Sequence, residues 1–437
     1  MPADAIAIVG GGMMGLSLAY RLATAGRRVT VYESAPRAGG LVSGADLATS
    51  VRWDRFYHVI LASDAHTRLL LRDIGIEGEV SWTTTGTGVF AGGRLMPAST
   101  PLDLLRIPGL RPLDLARIAA TLVRAGHDSP GRLVEWMTCE EWLTRWSGRR
   151  AWERFWRPLL RSKLGEDGPK ASASFIVATL KRLGKARRAG LDRERFGWVR
   201  GGYERVADRL VEVLKRHGAP VRAGAPVSAV TPVDGGLAVR AIGTGTETYD
   251  RVVICAPGPA AARLCPAWGD DERRRLADPP WMGVVNVAVL MRSPLSGRYV
   301  TNLLDDGLPF TGVIEVTAVV DPAAVGGHHL VHLPRYVAAG DPLFDAPDAE
   351  VAGAFLAGLE RVKPAFRRSD AVACRVFRAR HVMPFPVLHR SHRVPPVATS
   401  VPGLFVLNGA QIDEGTANVD ETVRLAGDFA RSLLGGS

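Results

Sequence analysis

Three glycines and one glutamate near the start of the chain carry the most specific chemistry. Gly10, Gly12 and Gly15 stand at G-x-G-x-x-G spacing, and Glu33 follows at about the twenty-residue distance such a pattern needs. The first glycine permits a tight turn. The second lets backbone approach a pyrophosphate with no Cβ in the way, and the third lets a helix pack closely on a strand. Phosphates then sit at a helix N-terminus, where free N–H groups and the dipole favour negative charge. A carboxylate at Glu33 can accept ribose hydroxyls and repels a 2′-phosphate, so the site suits FAD or NAD better than NADP. Further along, His58 is a candidate acid–base group because an unperturbed imidazole titrates near neutrality. Asn302, Glu315, His332, Arg335 and Tyr336 are polar residues worth noting in the stretch 264–390. Of these, Glu315, Arg335 and Tyr336 join His58 as catalytic candidates.

The elements that must position these residues can be read in order. Ala5–Val9 is an uncharged apolar run, as in a parallel strand buried on both faces. Leu16 to Ala25 has helical periodicity, Gly26 stops it, and Arg28–Tyr32 is a second strand with Glu33 at its tip. Ser63–Ile74 reads as a helix, and Val80–Leu95 as a hairpin. From Pro97 to Gly190 the chain reads as mostly helical. Pro112–Val123 presents Leu113, Leu115, Ala116, Ile118, Ala119 and Leu122 as a broad apolar face. Thr138 and Glu141 fit a capping box. Trp136, Trp142, Trp146, Trp152 and Trp156 crowd this region and are read as core. An amphipathic helix follows Gly201-Gly202-Tyr203, with Val206, Leu210, Val213 and Leu214 inward. Gly243 and Gly245 suit a hairpin turn. Val284–Met291 and Gly312–Val320 read as strands. From Gly403 the order is strand, turn, loop and helix.

Composition bounds the rest. The chain has 437 residues, 46% hydrophobic and 23% charged, enough for two or three domains. No apolar run approaches the ~20 residues of a membrane span. The first strand begins at once, so no signal peptide is expected. Cys139, Cys255, Cys265 and Cys374 show no C-x-x-C spacing, which points to no metal site and a reducing, cytoplasmic setting. The net charge is +11, and between Arg145 and Arg195 there are 15 Lys and Arg against 5 Asp and Glu. That segment holds nearly the whole excess. It reads as a solvated surface, as a contact for an anionic substrate group such as a diphosphate, or as a peripheral membrane surface. No nucleic-acid-binding motif accompanies it.

The glycine pair Gly39-Gly40, with Arg37 before it, resembles the flavin amine oxidase, protoporphyrinogen oxidase and phytoene desaturase superfamily. The resemblance implies FAD, with the glycine pair closing over the flavin side. It extends to Val227, whose backbone would meet the adenine, and to Asn408, Gly409, Asn418 and Val419, where a closing helix would point at the flavin ring. Ala410 stands where the superfamily often has an acid, with Asp413 or Glu414 as substitutes. No cysteine follows Cys374, so the FAD is expected to be non-covalent. Tyr57 and His58 match a segment that returns to the flavin. The implied fold class is α/β, and α+β overall. A Rossmann-like FAD-binding domain (1–75, 196–263 and 391–437) interleaves with a substrate domain of mixed sheet plus helical insertion (76–195 and 264–390, helical over about 97–190). The implied activity is FAD-dependent hydride removal from a C–H or N–H carbon of a small organic substrate by an oxidase, dehydrogenase or desaturase, in a biosynthetic setting. Two alternatives stand beside it. One is a non-redox flavoenzyme resembling UDP-galactopyranose mutase, acting on a sugar nucleotide. The other is a binding protein with structural FAD.

Overall fold

The structure is a computed structural model and describes residues 4–128, 134–188, 195–412 and 417–435. Its first strand, β1 (Ala5–Val9), lies at the centre of a five-stranded parallel sheet. β2 (Arg28–Tyr32) flanks it on one side and Arg251–Ile254 on the other. Val221–Arg222 and Leu404–Val406 form the two edges. The strand order therefore reverses direction at β1, and in open α/β sheets ligands bind at the C-terminal strand ends beside such a switch. Helix α1 (Met13–Thr24) buries residues all round. A helix covered on every side needs apolar residues on every side. The helices Glu204–Arg216 and Val419–Gly435 pack against it.

The described residues between Pro101 and Arg188 are mostly helical, with Pro112–His127 and Ala173–Arg188 the longest helices. The capping box at Thr138 and Glu141 is present, with Glu141 N–H to Thr138 Oγ1 at 3.1 Å. Trp142, Trp152 and Trp156 are buried together with Leu143, Leu160 and Val177. Trp136 and Trp146 depart from the expected core, being 57% and 37% exposed. α2 (Pro112–His127) departs further: it buries Asp114, Ile118, Thr121 and Ala125, while Leu113, Ala116, Ala119 and Leu122 face outward. The apolar stripe predicts the helix but not which side of it is covered.

A seven-stranded mixed sheet forms the third layer. β3 (Trp281–Met291) is buried along its whole length between β4 (His329–Ala338) and β5 (Ala371–Pro384). Gly312–Glu315, Val300–Leu303 and the hairpin Thr87–Ala91/Arg94–Pro97 complete it. The expected hairpin over 80–95 is divided, because Val80–Thr84 pairs instead with Arg195–Val199 in another sheet. The expected strand 312–320 stops at Glu315, and Val316–Ala318 turns as a 3-10 segment. Gly243 and Gly245 do close a hairpin between Gly236–Ala241 and Gly245–Tyr249.

Side chains alternate across β4. Val331, Leu333 and Val337 pack with Phe344, Phe355 and Leu359 on one side. Tyr336 joins Met282, Val284 and Phe56 on the other. This second face meets the segment after Val51, with Val51 and Trp53 against Leu330 and Tyr57 against Tyr336.

Candidate functional site

The loop between β1 and α1 has the geometry a pyrophosphate needs. Gly10 has φ +116°, a conformation L side chains rarely adopt. A Cβ on Gly15 would lie 1.9 Å from Gly10 O, so only glycine permits this approach of helix to strand. A Cβ on Gly12 would meet nothing nearer than Gly40 Cα at 3.9 Å, so this position faces open space. No side chain caps α1, and its first turn contains no acid. Its free N–H groups are therefore left for an anion. Gly39 and Gly40, at φ +130° and +59°, bring their backbone against Gly12.

Glu33 is 8% exposed and accepts Gly11 N–H at 2.7 Å and Ala35 N–H at 2.8 Å. It therefore also clamps the glycine loop. Ala225 N–H donates to Glu33 O at 2.9 Å, which runs the segment leading to Val227 past this carboxylate. The residues present fit a dinucleotide: an uncapped helix end for the phosphates, a cradle that a Cβ at Gly12 would fill, and a carboxylate with acceptor capacity left for a ribose.

Arg37, expected at the cofactor, is engaged in an ion pair. It is half-exposed and binds Asp208 at 3.0 Å on the helix Glu204–Arg216. The cation at the glycine pair is Arg55, whose guanidinium donates to Gly40 O at 2.8 Å. Burial lowers its pKa, the cost of a cation with little solvent. Sequence reasoning missed Arg55. The only signal was its place beside Tyr57 and His58.

At the other end, Asn408 accepts Ala410 N–H at 2.8 Å and donates to Ala256 O at 2.9 Å, fixing the turn through Gly409. Asn418 Oδ1 accepts Glu421 N–H at 3.0 Å at the start of α3 (Val419–Gly435). The first turn of α3 carries Asp420 and Glu421, with Asp420 holding Thr67 N–H and Glu421 paired to Arg424. Asp413 and Glu414 lie outside the described residues.

Between the two sheets, Tyr57 and Tyr336 share a 2.9 Å hydroxyl hydrogen bond. His58 Nδ1 bonds Phe56 O at 3.0 Å, and its ring lies 5.3 Å from that of Tyr203. Desolvation, with Lys163 adding repulsion, holds its pKa at about 4. His58 is thus neutral at physiological pH, which corrects the reading of it as a group poised near neutrality. Tyr57 and His58 are both half-buried. Lys163 Nζ stands 5.0 Å from the Tyr336 ring centroid. His332, fully buried, meets Asn286 Nδ2 at 2.6 Å while that amide donates to Arg55 O at 2.8 Å. Asn286 and Lys163 carried no local motif in the sequence.

Two catalytic candidates do not belong to this cluster. Arg335 is on the opposite face of β4 from Tyr336, with its guanidinium on Pro309 O at 3.1 Å. Strand alternation separates neighbours in sequence. Glu315 is 1% exposed and accepts Leu295, Ser296 and Gly297 N–H at 2.7–2.8 Å, plus Ser296 Oγ. It anchors a turn.

Asp54 is a further buried acid, accepting Tyr203 and Glu204 N–H. Desolvation raises its pKa from 3.8 to about 7. The folded chain then holds a proton that the unfolded chain has released, so this group's contribution to stability falls as pH rises from about 4 to about 7. Asp54→Asn is expected to flatten that slope in urea unfolding measured across the interval. An unchanged slope would contradict the assignment.

The basic segment is partly compensated. Arg150 lies near Asp114, Arg161 pairs with Asp306, and Arg182 binds Asp64 at 2.8 Å. Among the described residues, no helix is long and apolar enough to cross a membrane.

A parallel sheet with its strand order reversing at a glycine-rich turn, roofed by a mixed sheet and helical insertion, defines an α/β dinucleotide-binding fold of the flavoprotein type. The chain belongs to the flavin-containing amine oxidoreductase family, which matches residues 13–408, and members of that family carry a flavin. It is similar to a hydroxysqualene dehydroxylase from Sinorhizobium fredii, 29% identical over 283 residues, covering 59% of this chain and 63% of the relative. The match thus spans less than two thirds of that relative's length. A carotenoid phi-ring synthase from Streptomyces griseus is 34% identical over 132 residues, 26% of this chain and 25% of the other. An oxidoreductase from Methanosarcina mazei has the same fold, with TM-score 0.77 at 19% identity over 99% of this chain and 100% of that one. So does reduced UDP-galactopyranose mutase, at TM-score 0.75 and 17% identity over 100% and 96%.

Proposed function

We propose that the chain is an FAD-dependent oxidoreductase that binds FAD non-covalently and oxidises a C–H carbon of a predominantly apolar, isoprenoid-type substrate. The observation that carries this reading is the apolar end of the cofactor groove. Leu41, next to the glycine pair, and Ala417, just before α3, both pack on the core of the helical insertion. A small cleft there is lined by Phe175, Ala178, Met383, Pro386, Ile412 and Ala417, with Ser174 and Arg390 as its polar members. The two relatives described above are named for isoprenoid compounds, which agrees with such a lining.

Bound FAD would supply the hydride acceptor. The chain's own part is to hold the substrate carbon within reach, exclude water and keep stray protons away. Neutral His58 and the Tyr57–Tyr336 pair supply uncharged polar groups between residues 51–61 and the seven-stranded sheet. Cys374, the last cysteine in the sequence, packs on the far face of the seven-stranded sheet, which supports a non-covalent flavin. We extend the reading to a peripheral position at a membrane, where an apolar substrate would be dissolved.

The test is anaerobic mixing of the yellow protein with a polyprenyl alcohol and, separately, with a diamine. The expected result is bleaching of the flavin absorbance by the former alone, and release of intact FAD by acid. Bleaching by the diamine alone would overturn the substrate class. Turnover of a sugar nucleotide only after pre-reduction would favour the mutase alternative.

A further inference from the structure

The helical insertion turns apolar residues outward on one side. On α2, Leu113 is 62%, Leu122 39% and Val123 62% exposed. Ala116, Ala119 and Ala120 lie exposed between them, and the only acid within α2, Asp114, is buried. The preceding turn adds Leu102 and Leu105 at 75% and 41%. Trp146 lies beside α2, under the guanidinium of Arg124 at 4.9 Å and of Arg145 at 5.9 Å. Of the eleven large apolar side chains exposed among the described residues, six belong to this patch. An ordinary surface helix presents charged or polar residues on its outer face, and a contiguous apolar patch marks a contact.

The rim is cationic. Arg106 and Arg124 are balanced by Asp103 and Asp128. Arg111, Arg117 and Arg145 are exposed and, among the described residues, pair with no carboxylate. An apolar ridge with arginines and a tryptophan at its border matches a bilayer interface, where the ridge enters the acyl boundary and the cations meet headgroups. A symmetric contact with a second copy would set the same arginines near one another.

We propose that the outer face of α2, with Leu102, Leu105 and Trp146, is the surface by which this protein docks on a membrane containing anionic lipid. The inference rests on the peripheral position proposed above and names the surface and the lipid class.

The test is cosedimentation of the flavin-loaded protein with vesicles of phosphatidylcholine alone and of equal parts phosphatidylcholine and phosphatidylglycerol. The expected result is binding to the mixed vesicles at least ~10-fold tighter than to the neutral ones, weakened by salt. The double variant Leu113→Glu/Val123→Glu should lose binding while keeping its flavin spectrum. Arg117→Gln/Arg145→Gln should lose only the preference for phosphatidylglycerol. The proposal is overturned if the parent sediments with neither vesicle, if both variants bind as the parent does, or if the patch instead drives a concentration-dependent dimer that the Glu variant abolishes. Binding is read without turnover. Failure of the substrate assay with intact vesicle binding would therefore fault the proposed reaction alone, and the reverse pattern the docking surface alone.

Discussion

Gly12→Val is expected to purify as a folded but colourless protein. Gly12 has φ −76° and ψ −179°, extended backbone that valine adopts readily. The chain around it leaves room, since the nearest heavy atom to an added Cβ is 3.9 Å away. The space a valine would fill is the space the pyrophosphate needs. Thermal unfolding should therefore shift little relative to the parent apoprotein, while flavin content falls to near zero. Gly15→Ala is the contrasting variant. Its Cβ would collide with Gly10 O at 1.9 Å, and such overpacking costs roughly 1–3 kcal/mol or more. It should lose stability and flavin together. A Gly12→Val protein as yellow as the parent would remove the phosphates from this turn.

Glu315→Ala is expected to lower unfolding free energy by about 1–3 kcal/mol. It strips partners from three backbone N–H groups, of Leu295, Ser296 and Gly297; the Leu295 group is the buried one, an orphaned buried donor costs about 1–3 kcal/mol, and the other two can turn to water. Turnover per bound flavin in the folded fraction should stay close to that of the parent. Urea unfolding with an unchanged m-value, alongside activity normalised to flavin content, checks both parts. A variant of parental stability but abolished turnover would return Glu315 to the catalytic group.

The legible and illegible parts of the chain divide by range. The β1–α1–β2 unit could be read because its signals are local. A strand, three spaced glycines, a helix and an acid all fall within one stretch, and the structure joins them through the Glu33–Gly11 hydrogen bond. The capping box at Thr138 was legible for the same reason. What failed depends on distant partners. Val80–Thr84 pairs with residues more than a hundred positions away in sequence, and no pattern inside the segment names that partner. Arg335 and Tyr336 look equivalent side by side, but the pleat of β4 sends them to opposite faces. Arg55, which reaches Gly40 O, stands fifteen positions beyond it, just after the strand Val51–Asp54, and nothing local singles it out. On α2 the apolar stripe was correctly seen, but it faces outward. Periodicity reports that a helix has two unlike faces. It does not report which one the rest of the chain covers.

The most direct measurement is an equilibrium titration of the apoprotein with FAD and with FMN, followed by flavin fluorescence. If the adenine half lies along Glu33 and the phosphates on α1, FAD should bind saturably at about one per chain, and FMN on the order of a hundredfold more weakly, a difference of about 2.7 kcal/mol. Equal affinity for the two, or no saturable binding of FAD, would contradict a dinucleotide held by the Gly10–Gly15 turn.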